Sequence, residues 1–209
     1  MYSVQTDPDK ILAIYNYLST QDQVESANGV FVFGRADYLL EEQASDLIYK
    51  NFAKYVLFTG GLGKDSKYLT ELNISEADFL AAHANIVCKL PTQQIFRETV
   101  SSNGGENAKN GLQTIIDNNL EHNHLLVLAH ATSLRRLAAT LEQECINRNL
   151  NVKLSKIATS YNFNPKELTD QKEAVSELVK LVDYAEKGWC KLQTDIPQDM
   201  YAYAKDLVL

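Results

Sequence analysis

The chain has 209 residues, of which 45% are hydrophobic and 22% charged, enough for one domain whose core needs neither disulfides nor metal. Twenty Lys and Arg stand against 27 Asp and Glu, a formal charge of −7. That balance argues against broad nucleic-acid binding and against an anionic membrane surface.

Asp7 and Pro8 open a helix in which Ile11, Leu12, Ile14, Tyr15 and Leu18 recur at helical spacing. Residues 30–33 form a short apolar run ended by Gly34, which reads as a buried strand. Helical period returns over 36–52 through Leu39, Leu40, Ala44, Leu47 and Ile48. A second strand at 55–58 stops at Thr59-Gly60-Gly61, and Ser75 with Asp78 marks a helix start continued by Ala77, Leu80 and Ala81. Either 86–88 or 95–96 supplies a third strand, because Pro91 between them prevents one continuous strand. A polar loop at 98–105 leads into a helix over about 106–120. Residues 125–129 are the clearest strand, followed by a helix over 133–149 and a fifth strand at 152–158. Beyond Pro165 the pattern is helical through Val175, Leu178, Leu181 and Val182 to Gly188, and a short helix follows Pro197.

This alternation predicts the α/β class: a Rossmann-like parallel sheet flanked by helices over residues 1–160, with 161–209 as a helical cap. Cys88, Cys145 and Cys190 are far apart and form no CxxC pair, so buried or semi-buried thiols in a reducing compartment are expected. No apolar stretch suits a signal peptide or a membrane helix, so the protein is expected to be soluble and cytoplasmic.

In an open parallel sheet, ligands bind at the carboxyl ends of the strands. Six of the nine glycines, Gly34, Gly60, Gly61, Gly63, Gly104 and Gly105, fall in loops that follow predicted strands. Such glycines serve tight turns or close backbone approach to a ligand. Polar residues gather in the same loops: Arg35 and Asp37 after the first strand, Thr59 after the second, and Glu98, Ser101, Asn103, Glu106 and Asn107 after the third. His130, Thr132, Arg135 and Arg136 follow the fourth. Helix starts and three arginines at that edge suit a phosphate or carboxylate. Glu98, Glu106 and Asp37 at the same edge call for at least one Arg–carboxylate contact to offset their repulsion.

Standard motifs are missing. Gly60-Gly61-Leu62-Gly63-Lys64 lacks the first glycine of a phosphate loop, where Phe58 stands, and Asp65 follows its Lys. No GxGxxG, GxSxG or HExxH occurs. His122 and His124 form an HxH pair before a strand, on the edge away from the expected site, and no metal site is expected. His83 reads as structural.

The order Val-Phe-Val-Phe-Gly34, Thr59-Gly60-Gly61, Ser75-Glu76-Ala77, then Glu98, Ser101, Asn103, Glu106 and Asn107, resembles the ElyC/SanA/YdcF family over roughly residues 28–150. Gly104 stands where that family usually has Thr, and Ser133 where many relatives have His, so a family role for that His does not transfer. The missing anchor and the helical tail resemble the soluble YdcF-like branch. The resemblance implies a Rossmann-like domain with a strand-end pocket, adds Glu76 to the candidate ligand residues, and suggests S-adenosylmethionine as a ligand.

Three readings follow. In the first, a nucleotide-like molecule such as S-adenosylmethionine binds through Glu98 or Glu106, Gly60, Gly61 and Arg135 or Arg136, for binding alone or as a transferase substrate. In the second, a hydrolase or transferase acts on a phosphorylated or glycan-linked substrate, with Glu98 or Glu106 as base, His130 as acid or proton carrier and Arg136 stabilising charge. The third is a non-catalytic sensor or scaffold.

Overall fold

The computed structural model of the protein describes residues 6–35, 39–62 and 67–208. β1 (Gly29–Phe33) and β2 (Tyr55–Thr59) are buried at every residue, and β4 (His124–Ala129) at all but its first. Continuous apolar runs of this kind suit central strands covered on both faces. The partly exposed β3 (Ile95–Glu98) and β5 (Lys153–Ala158) form the edges of an all-parallel sheet ordered β3-β2-β1-β4-β5. Of the two candidates for the third strand, 95–98 pairs with β2. Residues 86–88 instead close a helix, where the Val87 and Cys88 N–H groups both donate to the His83 carbonyl.

Helices α2 (Leu39–Tyr49) and α4 (Glu76–Ile86) cover the face that carries Val30, Val32, Val56 and Phe58. The six-residue α3 (Lys67–Leu72), too short to show a period in the sequence, precedes α4. Helices α5 (Gly104–Asp117) and α6 (Leu134–Asn147) cover the face that carries Phe31, Phe33, Leu57 and Val127. The protein is therefore an α/β structure of Rossmann-like architecture. Crossing from β3 through α5 to β4 reverses the direction of strand addition, so the switch point lies between β1 and β4.

A third apolar cluster joins α1 (Pro8–Leu18), α7 (Leu168–Glu186) and α8 (Gln198–Val208) through Ile11, Ile14, Leu18, Leu178 and Leu181. Ala139 of α6 completes it, so the first helix packs with the last two, against α6. The outer side of β5 is flanked by residues 21 and 22. Asp22 N–H donates to the Lys156 carbonyl at 2.9 Å, Lys156 N–H to the Asp22 carboxylate at 2.8 Å, and Ala158 N–H to Gln21 Oε1 at 3.3 Å. Among the described residues, no helix is long and apolar enough to cross a membrane.

Candidate functional site

Strand register decides which residues meet. Phe33 is level with Thr59, Thr59 with Glu98, and Val32 with Leu128. Gly34, Gly60, Glu98 and His130 consequently lie along one edge of the sheet, at the carboxyl ends of four strands. Two cavities of about 110 and 160 Å³ lie elsewhere, one beside Arg135, Leu154 and Lys156 and one between α7 and α8. Among the described residues, the strand ends hold a group of hydrogen-bonded polar side chains.

At the switch point His130 is 3% exposed. Its Nδ1 lies 2.8 Å from the Thr132 hydroxyl, which donates to Glu173 Oε1 at 2.7 Å. A hydroxyl has one proton, so Thr132 must accept from His130. The neutral ring is therefore protonated on Nδ1, which leaves Nε2 as its basic nitrogen. Arg35 holds the far end of this relay, with Nη1 2.6 Å from Glu173 Oε1. Tyr161 meets the His130 ring edge-on at 4.5 Å between centroids, and its hydroxyl donates to Asp170 at 2.6 Å. That hydrogen bond, with burial, pushes the phenol up to about 12, so it keeps its proton at neutral pH.

Burial raises the Glu173 carboxyl, but hydrogen bonds from Arg35 and Thr132 and the charges of Arg35 and His130 outweigh it. Glu173 therefore titrates below its ordinary 4.5. Asp195 is likewise lowered, where Arg135 outweighs burial. A lowered carboxylate stabilises the fold above its unfolded value, and that contribution is lost as pH falls through the folded value. The urea midpoint should accordingly drop on acidification from about pH 5 to about pH 3. Glu173→Gln should start lower at neutral pH and fall less steeply.

The loop after β3 is organised by its own carboxylates. Glu98, 5% exposed, accepts at Oε1 from the N–H groups of Val100 (2.7 Å) and Ser101 (3.0 Å). Asn103 caps α5 by accepting from Glu106 N–H at 3.0 Å, and Glu106 returns to the Ser102 N–H and hydroxyl at 2.7 and 2.9 Å. These bonds hold the Glu106 carboxyl below its ordinary range. A capping role is thus what the structure gives Asn103 and Glu106. The Ser101 hydroxyl accepts from Asn110 at 3.0 Å, and Asn107 is buried in the first turns of α5.

The glycines serve close packing. A Cβ at Gly34 would lie 2.0 Å from the Thr59 carbonyl oxygen, and one at Gly60, whose φ is +122°, would lie 2.7 Å from Glu76 Oε2. Gly60 and Gly61 spend their N–H groups on the Glu98 and Ser101 carbonyls at 2.9 and 2.6 Å. Their own carbonyls accept from Ala77 and Glu76 at the start of α4. Thr59 donates to the Val32 carbonyl at 2.9 Å.

Each of the three arginines pairs with a carboxylate: Arg35 with Glu173, Arg135 with Asp195 and Arg136 with Glu177. Arg135 lies over Tyr17 of α1 at 3.9 Å, pairs with Asp195 and bonds Gln193, the last two in the segment between α7 and α8. Arg136 Nε donates to the buried Glu177 at 2.6 Å and so braces α6 to α7. Arg35 alone joins the strand-end group. These carboxylates come from the tail, far from the loops in sequence, so loop composition gave no sign of them. Asp37 lies outside the described residues, as do Gly63, Lys64 and Asp65.

Burial raises all three thiols, Cys145 to about 11, which leaves none as a nucleophile at neutral pH. His124 bonds Ser155 and the Ser26 carbonyl, and His83 lies 2.7 Å from the buried Glu41. Among the described residues, no group of three or more His, Cys, Asp or Glu could hold a metal.

Glu173, Asp170 and Tyr161 were not among the residues singled out from sequence. A signal existed: Asp170, Glu173 and Glu177 recur at helical spacing beside the apolar Ala174 and Leu178. Acids on the packed side of a helix need partners. No protein-family model matches the chain, and no curated protein matches it in sequence.

Proposed function

We propose that the protein binds a small phosphorylated molecule at the β1/β4 switch point and acts on it by acid–base chemistry through His130, as a hydrolase or transferase. One observation carries this reading: a buried histidine at the reversal of strand order, its tautomer set by a Thr132–Glu173–Arg35 relay. A ring held in this way presents one nitrogen for proton transfer while the carboxylate steadies the protonated form. Arg35, half-exposed and paired with Glu173, brings a positive charge to this edge that suits an anion. At the start of α6, Ser133 makes no side-chain cap, which keeps first-turn N–H groups for the same anion. The nucleotide-like alternative draws less support, because Gly60, Gly61 and Glu106 spend their hydrogen bonds inside the protein.

Thermal unfolding with inorganic phosphate, sugar phosphates, nucleotides and S-adenosylmethionine tests the reading. A phosphorylated member should raise the melting temperature by mass action, and hydrolysis of p-nitrophenyl phosphate, with and without divalent metal, should locate turnover. A panel with no stabilising phosphorylated compound would sink the proposal. Stabilisation by S-adenosylmethionine alone would return the site to the nucleotide-like reading.

A further inference from the structure

Among the described residues, two buried atoms on the β3 and α5 side of the edge have no hydrogen-bond partner: Glu98 Oε2 and Asn107 Oδ1, in residues 5% and 6% exposed. Glu98 completes its structural work through Oε1, which takes both loop N–H groups. A glutamine would do that work equally well without burying an acid. The Asn107 amide oxygen makes no hydrogen bond that would explain it in the packed side of α5. Thr59 and Glu98 are level neighbours in a parallel ladder, so their side chains share one face of the sheet. That face is the one under α5. A Cβ at Gly111, one helical turn beyond Asn107, would lie 2.9 Å from Thr59 Cγ2. Glu98 therefore lies on the α5 side of the sheet with Thr59, and Asn107 lies one turn of α5 before the glycine that packs on Thr59. Turning the Asn107 amide exchanges its oxygen and nitrogen but leaves Glu98 Oε2 without a donor.

We infer that the β2/β3 end of the strand edge is a subsite for hydrogen-bond donors, so that the ligand carries hydroxyl or ammonium groups besides its phosphate. The inference rests on the proposed function for the phosphate end alone. Unpartnered acceptors at this end of the edge repel a second anion and reward a donor, and leaving them buried and unpaired discriminates against ligands that lack one. A sugar phosphate and an amino-alkyl phosphate share this chemistry.

Calorimetric titration with inorganic phosphate, ribose 5-phosphate and O-phosphoethanolamine, on the wild type, Glu98→Gln and Asn107→Leu, tests it. At least one donor-bearing phosphate should bind tenfold or more tighter than inorganic phosphate. Ribose 5-phosphate would mark the donor as hydroxyl, and O-phosphoethanolamine would mark it as ammonium. Both variants should lose that advantage and keep the affinity for inorganic phosphate. Without ligand, Asn107→Leu should melt at or above the wild type, because it removes an unpartnered amide. Lower melting or unfolding of both variants would assign the two atoms to a structural buried water and overturn the subsite. Equal affinity for all three phosphates would overturn it while leaving the His130 reading intact. No binding of any of them would remove the proposed function, and the subsite with it.

Discussion

Gly34→Ala should lower stability by about 3 kcal/mol or more. The added methyl would sit 2.0 Å from the Thr59 carbonyl oxygen and 3.0 Å from Glu76 Oε2. The carbonyl belongs to the neighbouring central strand, so it cannot swing aside as a side chain would. Either β1 and β2 part at their ends or the start of α4 moves, and both open the apolar layer around Val32 and Phe58. For a domain of this size the melting temperature should fall by roughly 6–12 °C. Gly188→Ala is the control. Gly188 follows the end of α7 at φ +72° with nothing within 4 Å of the added methyl, so only backbone strain is paid. That cost is about 1–2 kcal/mol. Equal melting temperatures for the two variants would refute the close-approach explanation of Gly34.

His130→Gln should reduce turnover of a substrate found in the phosphorylated panel by roughly 10²–10⁴-fold. Glutamine can still donate to Thr132 and fill much of the ring's space, so the fold and the Arg35–Glu173 pair should survive. What it lacks is a ring nitrogen that can take up and release a proton. Thr132→Val keeps the shape but breaks the link between ring and carboxylate. In the proposed chemistry Thr132 positions the ring, so its loss should cost less and should shift the pH–rate profile, which a purely structural role would not do. Full turnover in a folded His130→Gln protein would exclude His130 from the chemistry.

The central strands were legible because each is an unbroken apolar run followed by glycine or a polar loop. The third was ambiguous since Ile86, Val87 and Cys88 are as strand-like locally as Ile95 and Phe96. Only pairing with β2 decides between them. The strand-end position of Glu98 and His130 was also readable, because it follows from parallel topology alone. Their partners were not. Glu98 turns to its own loop N–H groups, while His130 is tied to a residue of α7 some 40 positions later. Arg135 and Arg136 looked like anion ligands for the same reason: their counterions, Asp195 and Glu177, belong to the tail. Loop composition shows which residues reach the edge of a sheet, but not what the next layer brings down onto them.

The residues flanking β5 also govern how the sheet meets other chains. An open edge strand offers a row of unpaired backbone groups on which a foreign strand can add, the first step of edge-to-edge aggregation. On the β5 side the Lys156 carbonyl and the Lys156 and Ala158 N–H groups are already taken by Gln21 and Asp22. The other edge is only four residues long, and it carries Arg97, paired to Asp78. A short template bearing a charge is a poor seed for added strands. The apolar runs that build this core can therefore be long and uninterrupted, because neither margin of the sheet invites a neighbour to extend it.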